Sequence, residues 1–151
     1  MIRAILLTCL LSLTALPAAA EVREPEIFKD VNGVAIKGYD SVAYHVERRA
    51  RKGSAEFSHE WKGAVWHFKS AENRDLFAAD PERYAPQYGG YCAWAIARGR
   101  TAPVNPTIFR IFDDKLYMNL NMKVHKDWLG KHGAYIARAD EKWPAVLVLA
   151  D

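Results

Sequence analysis

The segment Gly89–Gly99, which reads GGYCAWAIARG, constrains the fold more than any other part of the chain. Two adjacent glycines permit backbone angles that a side chain would forbid, and Gly99 is a typical C-terminal stop for a helix. The apolar residues between them predict a short helix with Cys92 in its first turn, where free N–H groups favour a thiolate. Core packing is the alternative interpretation, because Cys92 shares one helical stripe with Ala95 and Ile96.

The first twenty residues are typical of a secretory signal peptide. Arg3 supplies a positive charge, Ala4–Leu16 supply an apolar core, and Ala18–Ala20 form a small-residue cleavage site. We expect cleavage after this site, so that residues 21–151 form the mature chain and Cys9 is lost. The mature protein would then be periplasmic or secreted, would have no membrane span, and could form no internal disulfide bond.

The charge of the chain argues against a nucleic-acid partner. The formal net charge is +3 at pH 7, and Arg48–Lys52 is the one basic cluster. This cluster has no interleaved aromatic residues on which bases could stack, so we interpret it as a solvated loop. The aromatic content of 12% indicates a well-filled core instead.

Residues 57–68 predict a β-hairpin around a Lys-Gly turn. In the simplest register Phe57 lies opposite Phe68, and His59 lies on the same face as both. His67 lies on the other face. Neither histidine has a second metal ligand at local spacing, so a structural or surface role is the alternative to metal binding for each.

Two polar residues predict the starts of helices. Asp40 is a good N-cap for a short helix, and a buried or cleft-facing carboxylate is the alternative role for it. Ser70 is an N-cap for a helix over residues 71–79, in which Leu76 and Phe77 are expected to point inward.

The second half of the chain predicts another hairpin and two helices. Residues 108–120 favour a hairpin around an Asp-Asp turn, with Phe109 opposite Met118. Helices are expected over residues 122–131 and 134–143. Hairpins separated by helices predict an α+β fold, a single small domain in which helices pack around two antiparallel β-hairpins.

Several segments of the chain resemble exported bacterial proteins that contain a YHS domain. The resemblance is carried by the segments 38–44, 52–57, 61–70, 73–84, 86–93 and 115–119. It implies a YHS-like domain over residues 21–151, with its core at about residues 31–144.

The resemblance implies a metal-handling function. YHS domains in metal-transporting ATPases and in some oxygenases carry paired cysteines that are associated with metal binding, copper included. In this chain Lys69 stands where those domains have one of the cysteines, so one chain cannot supply two thiolates. Cys92 would hold copper or another soft metal ion as a thiolate, and its possible helpers are Met118, His59 and His67.

Two other functions remain open. The first is a non-catalytic module that binds a small ligand or a periplasmic partner protein in a cleft between the Cys92 helix and the turn before Ser41. The residues expected around this cleft are Tyr39, Asp40, Tyr88, Trp94 and Asn119. The second is a thiol-dependent enzyme, in which a histidine would act as the base for Cys92.

Overall fold

The structure is a computed structural model that describes residues 23–148. The predicted signal peptide and Cys9 lie outside the described residues. Within them the chain forms two antiparallel two-stranded sheets surrounded by helices, so the α+β prediction is confirmed. No helix between residues 23 and 148 is long and apolar enough to cross a membrane.

The secondary-structure elements follow one another along the described part of the chain. The strands there are β1 (Ser54–Trp61), β2 (Ala64–Phe68), β3 (Phe109–Phe112) and β4 (Lys115–Met118). The helices there are α1 (Ser41–Val46), α2 (Ala71–Ala79), α3 (Pro81–Tyr84), α4 (Ala93–Ile96), α5 (Met122–Gly130) and α6 (His132–Lys142). Short 3-10 turns lie at Ile36–Gly38, Gln87–Gly90 and Ala145–Leu147.

The register of the first hairpin is confirmed near its turn and wrong at its open end. His59 pairs with Trp66 as expected, but Phe68 pairs with Ser54 instead of Phe57 because the ladder is interrupted by a bulge between Ser54 and Ser58. A Cβ on Gly53 would lie 2.4 Å from the backbone carbon of His67. The chain thus enters β1 in close contact with β2, at a position that only glycine permits.

Helix α2 covers the predicted residues, but one of its two expected core residues faces outward. Phe77 is fully buried, and its ring centroid lies 4.9 Å from that of Trp66 and 5.0 Å from that of Phe68. The prediction for Leu76 is wrong, since this residue is 37% exposed. The helix turns Asn73 and Phe77 inward, and these two lie one turn apart on the same face.

The second hairpin has the predicted register, with Phe109 opposite Met118. The two helices that follow it differ from the prediction at their ends, because α5 stops at Gly130 and α6 begins at His132 and ends at Lys142. The ring of His132 stacks on that of Phe112 with centroids 4.2 Å apart, which ties the start of α6 to the hairpin.

The two glycines before Cys92 are needed for the N-terminal arm, residues 24–28, which packs on them. Gly89 and Gly90 have φ angles of 60° and 85°, in the left-handed region that favours glycine. A Cβ on Gly89 would lie 1.8 Å from the carbonyl oxygen of Glu26, and the N–H of Phe28 donates to the carbonyl of Gly89 at 2.9 Å. The glycines therefore position both the arm and the Cys92 segment.

Candidate functional site

Cys92 is the N-cap residue of α4, immediately before its first helical residue. It is 1% exposed, and its N–H donates to the carbonyl of Ala102 at 3.0 Å. Ala95 and Ile96 are also buried, so the predicted core stripe is confirmed. Since α4 has only 4 residues, its dipole is small, and the neighbours of the thiol decide its environment.

Three buried side chains, those of Cys92, Asn119 and His125, contact one another in this order. The side-chain amide of Asn119 donates from Nδ2 to Sγ of Cys92 at 3.8 Å. Nδ1 of His125 lies 2.7 Å from Oδ1 of Asn119. Because an amide oxygen can only accept, Nδ1 of His125 carries the proton in this arrangement, and the Asn119 amide turns its NH₂ group towards the sulfur. We call these three residues the Cys92 centre.

His125 is a member of this centre that the sequence did not identify as a candidate. Its pKa is lowered, first by burial and then by the positive charge of Arg110, so the imidazole is neutral at neutral pH. The imidazole contacts the amide of Asn119, and that amide in turn contacts the sulfur of Cys92. The sequence offered one signal for such a residue. Asn119 directly follows the buried end of β4, and a buried amide needs a hydrogen-bond partner.

Met118 is the predicted metal helper that the fold brings next to Cys92. The two residues pair in a parallel β-bridge between the Cys92 segment and β4. Met118 is fully buried and belongs to the same apolar cluster as Cys92. A thiol and a thioether thus come from neighbouring backbone segments.

The predicted helpers His59 and His67 belong to the first hairpin. The ring of His59 packs edge-on against Phe77 at 6.0 Å, and Nδ1 of His67 lies 3.4 Å from the position of a Cβ on Gly38. Both histidines are half-buried. Among residues 23–148 no group of three or more histidine, cysteine and acidic residues is arranged to hold a metal ion.

Asp40 is fully buried, and hydrogen-bond donors surround its carboxylate. One oxygen accepts from the N–H groups of Val42 and Ala43 at 2.9 and 3.1 Å, as the N-cap prediction requires. The other accepts from the N–H of Lys69 at 2.9 Å and from Nδ2 of Asn73 at 2.7 Å. These contacts join α1 to the end of β2 and to α2, and we call this group the Asp40 centre.

The side chain of Lys69, at the position where the resemblance implied a cysteine, takes part in an ion pair. Its ammonium group contacts Glu47, whose other oxygen contacts Arg51 at 2.8 Å. The hydrogen bonds from Lys69 and Arg51 lower the pKa of Glu47. This position therefore presents an ion-paired ammonium group.

The remaining residues predicted to surround a ligand cleft have different environments. Tyr39 is half-buried under the ammonium group of Lys52, which lies 4.8 Å from its ring centroid. Nε1 of Trp94 donates to Asp127 at 2.6 Å. Tyr88 lines a cleft of about 210 Å³, whereas Asp40 and Asn119 are fully buried.

The comparisons with known proteins identify one part of this fold. The family model of the YHS domain matches residues 42–88, which extend from α1 through the first hairpin to the turn before Cys92. No curated protein and no solved structure matches the chain.

Proposed function

The chain contains a YHS domain, and we propose that it handles a soft metal ion, such as Cu(I), at Cys92. YHS domains are generally linked to metal handling, which gives the broad function. The identity of the ion, the residues that hold it and the cellular compartment are our proposal.

The observation that carries this proposal is the pairing of Cys92 with Met118. Their backbone segments form a β-bridge, and both residues are buried in one apolar cluster. Thiolate and thioether ligands select Cu(I) over hard cations. The donor set therefore fits a soft ion of low coordination number, which the thiolate of Cys92 and the thioether of Met118 would hold.

The rest of the Cys92 centre supports the same role. Protein groups that donate hydrogen bonds to metal ligands fix the orientation of those ligands and tune their affinity. The amide of Asn119 faces the sulfur of Cys92, and His125 holds that amide in one orientation. Cys92 and Met118 are 1% and 0% exposed, so uptake of an ion requires local opening and is expected to be slow.

The proposed compartment is the periplasm or the exterior of the cell. The motivation is the charged, apolar and small-residue pattern of residues 1–20. N-terminal sequencing of the exported protein should find Glu21 first. A chain that begins at Met1 or carries lipid on Cys9 would contradict this part of the proposal.

The metal site is tested by competition between the protein, residues 21–151, and a chromophoric Cu(I) chelator under reducing conditions. We expect the wild-type chain to bind one ion and Cys92→Ser to bind none. Met118→Leu keeps the volume of the side chain and removes the sulfur, so it should weaken binding by roughly tenfold or more, as loss of even an outer-shell partner does.

His59→Gln and His67→Gln are the matched controls, because both histidines were predicted helpers and lie on the first hairpin. Unchanged Cu(I) affinity in both controls assigns the site to the Cys92–Met118 pair. Equal binding by wild type and Cys92→Ser, with equal thermal stability, would refute the metal role of Cys92.

A further inference from the structure

We propose that the cleft beside Tyr88 binds a small organic cation that carries an ammonium group. This site is independent of the metal function proposed for Cys92. The cleft encloses about 210 Å³ between the N-terminal arm, the turn of the first hairpin, α3 and the end of α6. We call it the aromatic-acidic cleft, and the lining residues that matter here are Trp61, Tyr88, Trp143, Glu26, Glu82 and Asp140.

Aromatic rings form walls of the aromatic-acidic cleft. The rings of Tyr88 and Trp143 meet at an angle of 64° with their centroids 6.0 Å apart, so they form a corner. Trp61 lines the cleft as well. Aromatic faces attract ammonium groups, and cages of such faces are the usual way in which proteins bind quaternary ammonium compounds.

The charge of the lining residues selects a cation. Three carboxylates, those of Glu26, Glu82 and Asp140, line the cleft together with one ammonium group, that of Lys62. The lining therefore carries an excess of negative charge at neutral pH. Since no group of three acidic, histidine or cysteine residues among residues 23–148 is arranged for a metal ion, an organic cation fits better than a metal.

Lys62 shows within the protein how the cleft receives an ammonium group. Its Nζ lies 4.7 Å from the ring centroid of Trp61, 2.8 Å from a carboxylate oxygen of Glu26 and 3.1 Å from one of Glu82. Burial lowers the pKa of Lys62, but the hydrogen bonds to Glu26 and Glu82 outweigh it and leave the pKa raised. One aromatic face and two carboxylates thus already stabilise an alkylammonium ion. The corner offers the same kinds of group, two rings and the carboxylate of Asp140, which accepts from the hydroxyl of Tyr88.

The corner is held in position before any ligand arrives. Tyr88 has a φ of 56°, which is unusual for a residue with a side chain, and its hydroxyl donates to Asp140 at 2.8 Å. Burial and the neighbouring Asp140 raise the pKa of Tyr88, so the hydroxyl remains a donor. A preorganised wall loses little conformational entropy on binding.

The test uses tetramethylammonium and 2,2-dimethylpropan-1-ol, a neutral compound of similar shape. Binding to the chain of residues 21–151 is followed by NMR through the indole N–H signals of Trp61 and Trp143. We expect saturable shifts of these signals with tetramethylammonium, little change with the alcohol, and weaker binding as salt increases, because the carboxylates are partly exposed.

Asp140→Asn removes one charge and keeps an oxygen that accepts from Tyr88, so it should weaken tetramethylammonium binding about 2- to 5-fold. Asp75→Asn is the matched control, since Asp75 is an exposed carboxylate of α2 outside the cleft lining, and it should bind as wild type does. The proposal is overturned if the indole signals do not shift, if the alcohol shifts them equally, or if Asp140→Asn binds as tightly as the control.

Discussion

The Asp40 centre and the Cys92 centre are both buried and polar, but they differ in how completely their polar atoms are bonded. Four donors occupy the two oxygens of Asp40, at 2.7 to 3.1 Å. The sulfur of Cys92 accepts from one amide at 3.8 Å. A carboxylate whose bonding capacity is filled has little left for a ligand, whereas the sulfur retains the capacity to bind one.

The two centres also differ in their relation to the family pattern. The range matched by the YHS model begins at residue 42, two positions after Asp40, and includes all four residues that donate to its carboxylate. The Cys92 centre lies after residue 88 and is outside that range. The family match therefore covers the part of the fold that the Asp40 centre holds together. The metal binding that we propose depends on residues in the second half of the chain.

Removal of the Asp40 carboxylate should have the largest effect. Asp40→Ala leaves the N–H groups of Val42, Ala43 and Lys69 and the amide of Asn73 without their acceptor, so we expect a loss of about 3–5 kcal/mol in the free energy of unfolding. The measurement is urea-induced unfolding.

Asn121→Ala is the control for Asp40→Ala, because Asn121 caps α5 from an exposed position and accepts from one N–H group. It should cost about 1 kcal/mol. Equal losses in the two variants would mean that the Asp40 centre is an ordinary helix cap, and the contrast with the Cys92 centre would then fail.

Substitution of two buried asparagines allows a direct comparison of the centres, with an expected loss of unfolding free energy smaller than that of Asp40→Ala. Asn73 donates to Asp40, and Asn119 donates to Cys92. We expect Asn73→Ala and Asn119→Ala each to cost about 1–3 kcal/mol, because each leaves a buried polar group without its partner. Only Asn119→Ala should change the rate at which iodoacetamide alkylates Cys92 under native conditions.

The alkylation rate must be compared with the unfolding free energy of each variant, since global opening also exposes the thiol. A rate that rises equally in both asparagine variants would show that stability alone controls access to Cys92. In that case the amide of Asn119 would have no specific effect on the sulfur.

The smallest expected effect is a pH dependence from two histidines, His125 of the Cys92 centre and His45 of α1, whose ring packs against Tyr84. Burial lowers the pKa of His125 and of His45 below the ordinary value of 6.5, so each imidazole is neutral in the folded chain at neutral pH. The unfolded chain therefore takes up protons first, and the stability from these residues is complete above pH 6.5 and decreases as the pH falls through that value. The thermal unfolding temperature should decrease as the pH is lowered from about 7.5 to about 5.5.

Variants of the two histidines test whether His125 acts on Cys92, because His45 lies outside the Cys92 centre. In His45→Gln and in His125→Gln the unfolding temperature should decrease less on acidification than in the wild type, because glutamine takes up no proton. His125→Gln should in addition alter the alkylation of Cys92, since His125 orients the amide of Asn119. A change in alkylation with His45→Gln alone would contradict the assignment of His125 to the Cys92 centre.

The sequence by itself determined the features that depend on near neighbours in the chain. The N-caps at Asp40 and Ser70 and the register of the second hairpin were predicted because their hydrogen bonds close within a few residues. A short helix at Cys92 was also predicted, but this residue was expected in its first turn, whereas it is the N-cap of α4. The glycines on either side permit the left-handed backbone angles found there.

Only the tertiary structure decided which distant residues meet. Leu76 was expected to be buried, but the bond between Asn73 and Asp40 sets the rotation of α2, and that bond crosses 33 positions of the sequence. The bond between Asn119 and Cys92 crosses 27 positions. No local pattern encodes such contacts, because they form when separate elements pack against one core. The sequence identified Cys92 and Met118 as candidates by their sulfur atoms, but it missed His125 for this reason.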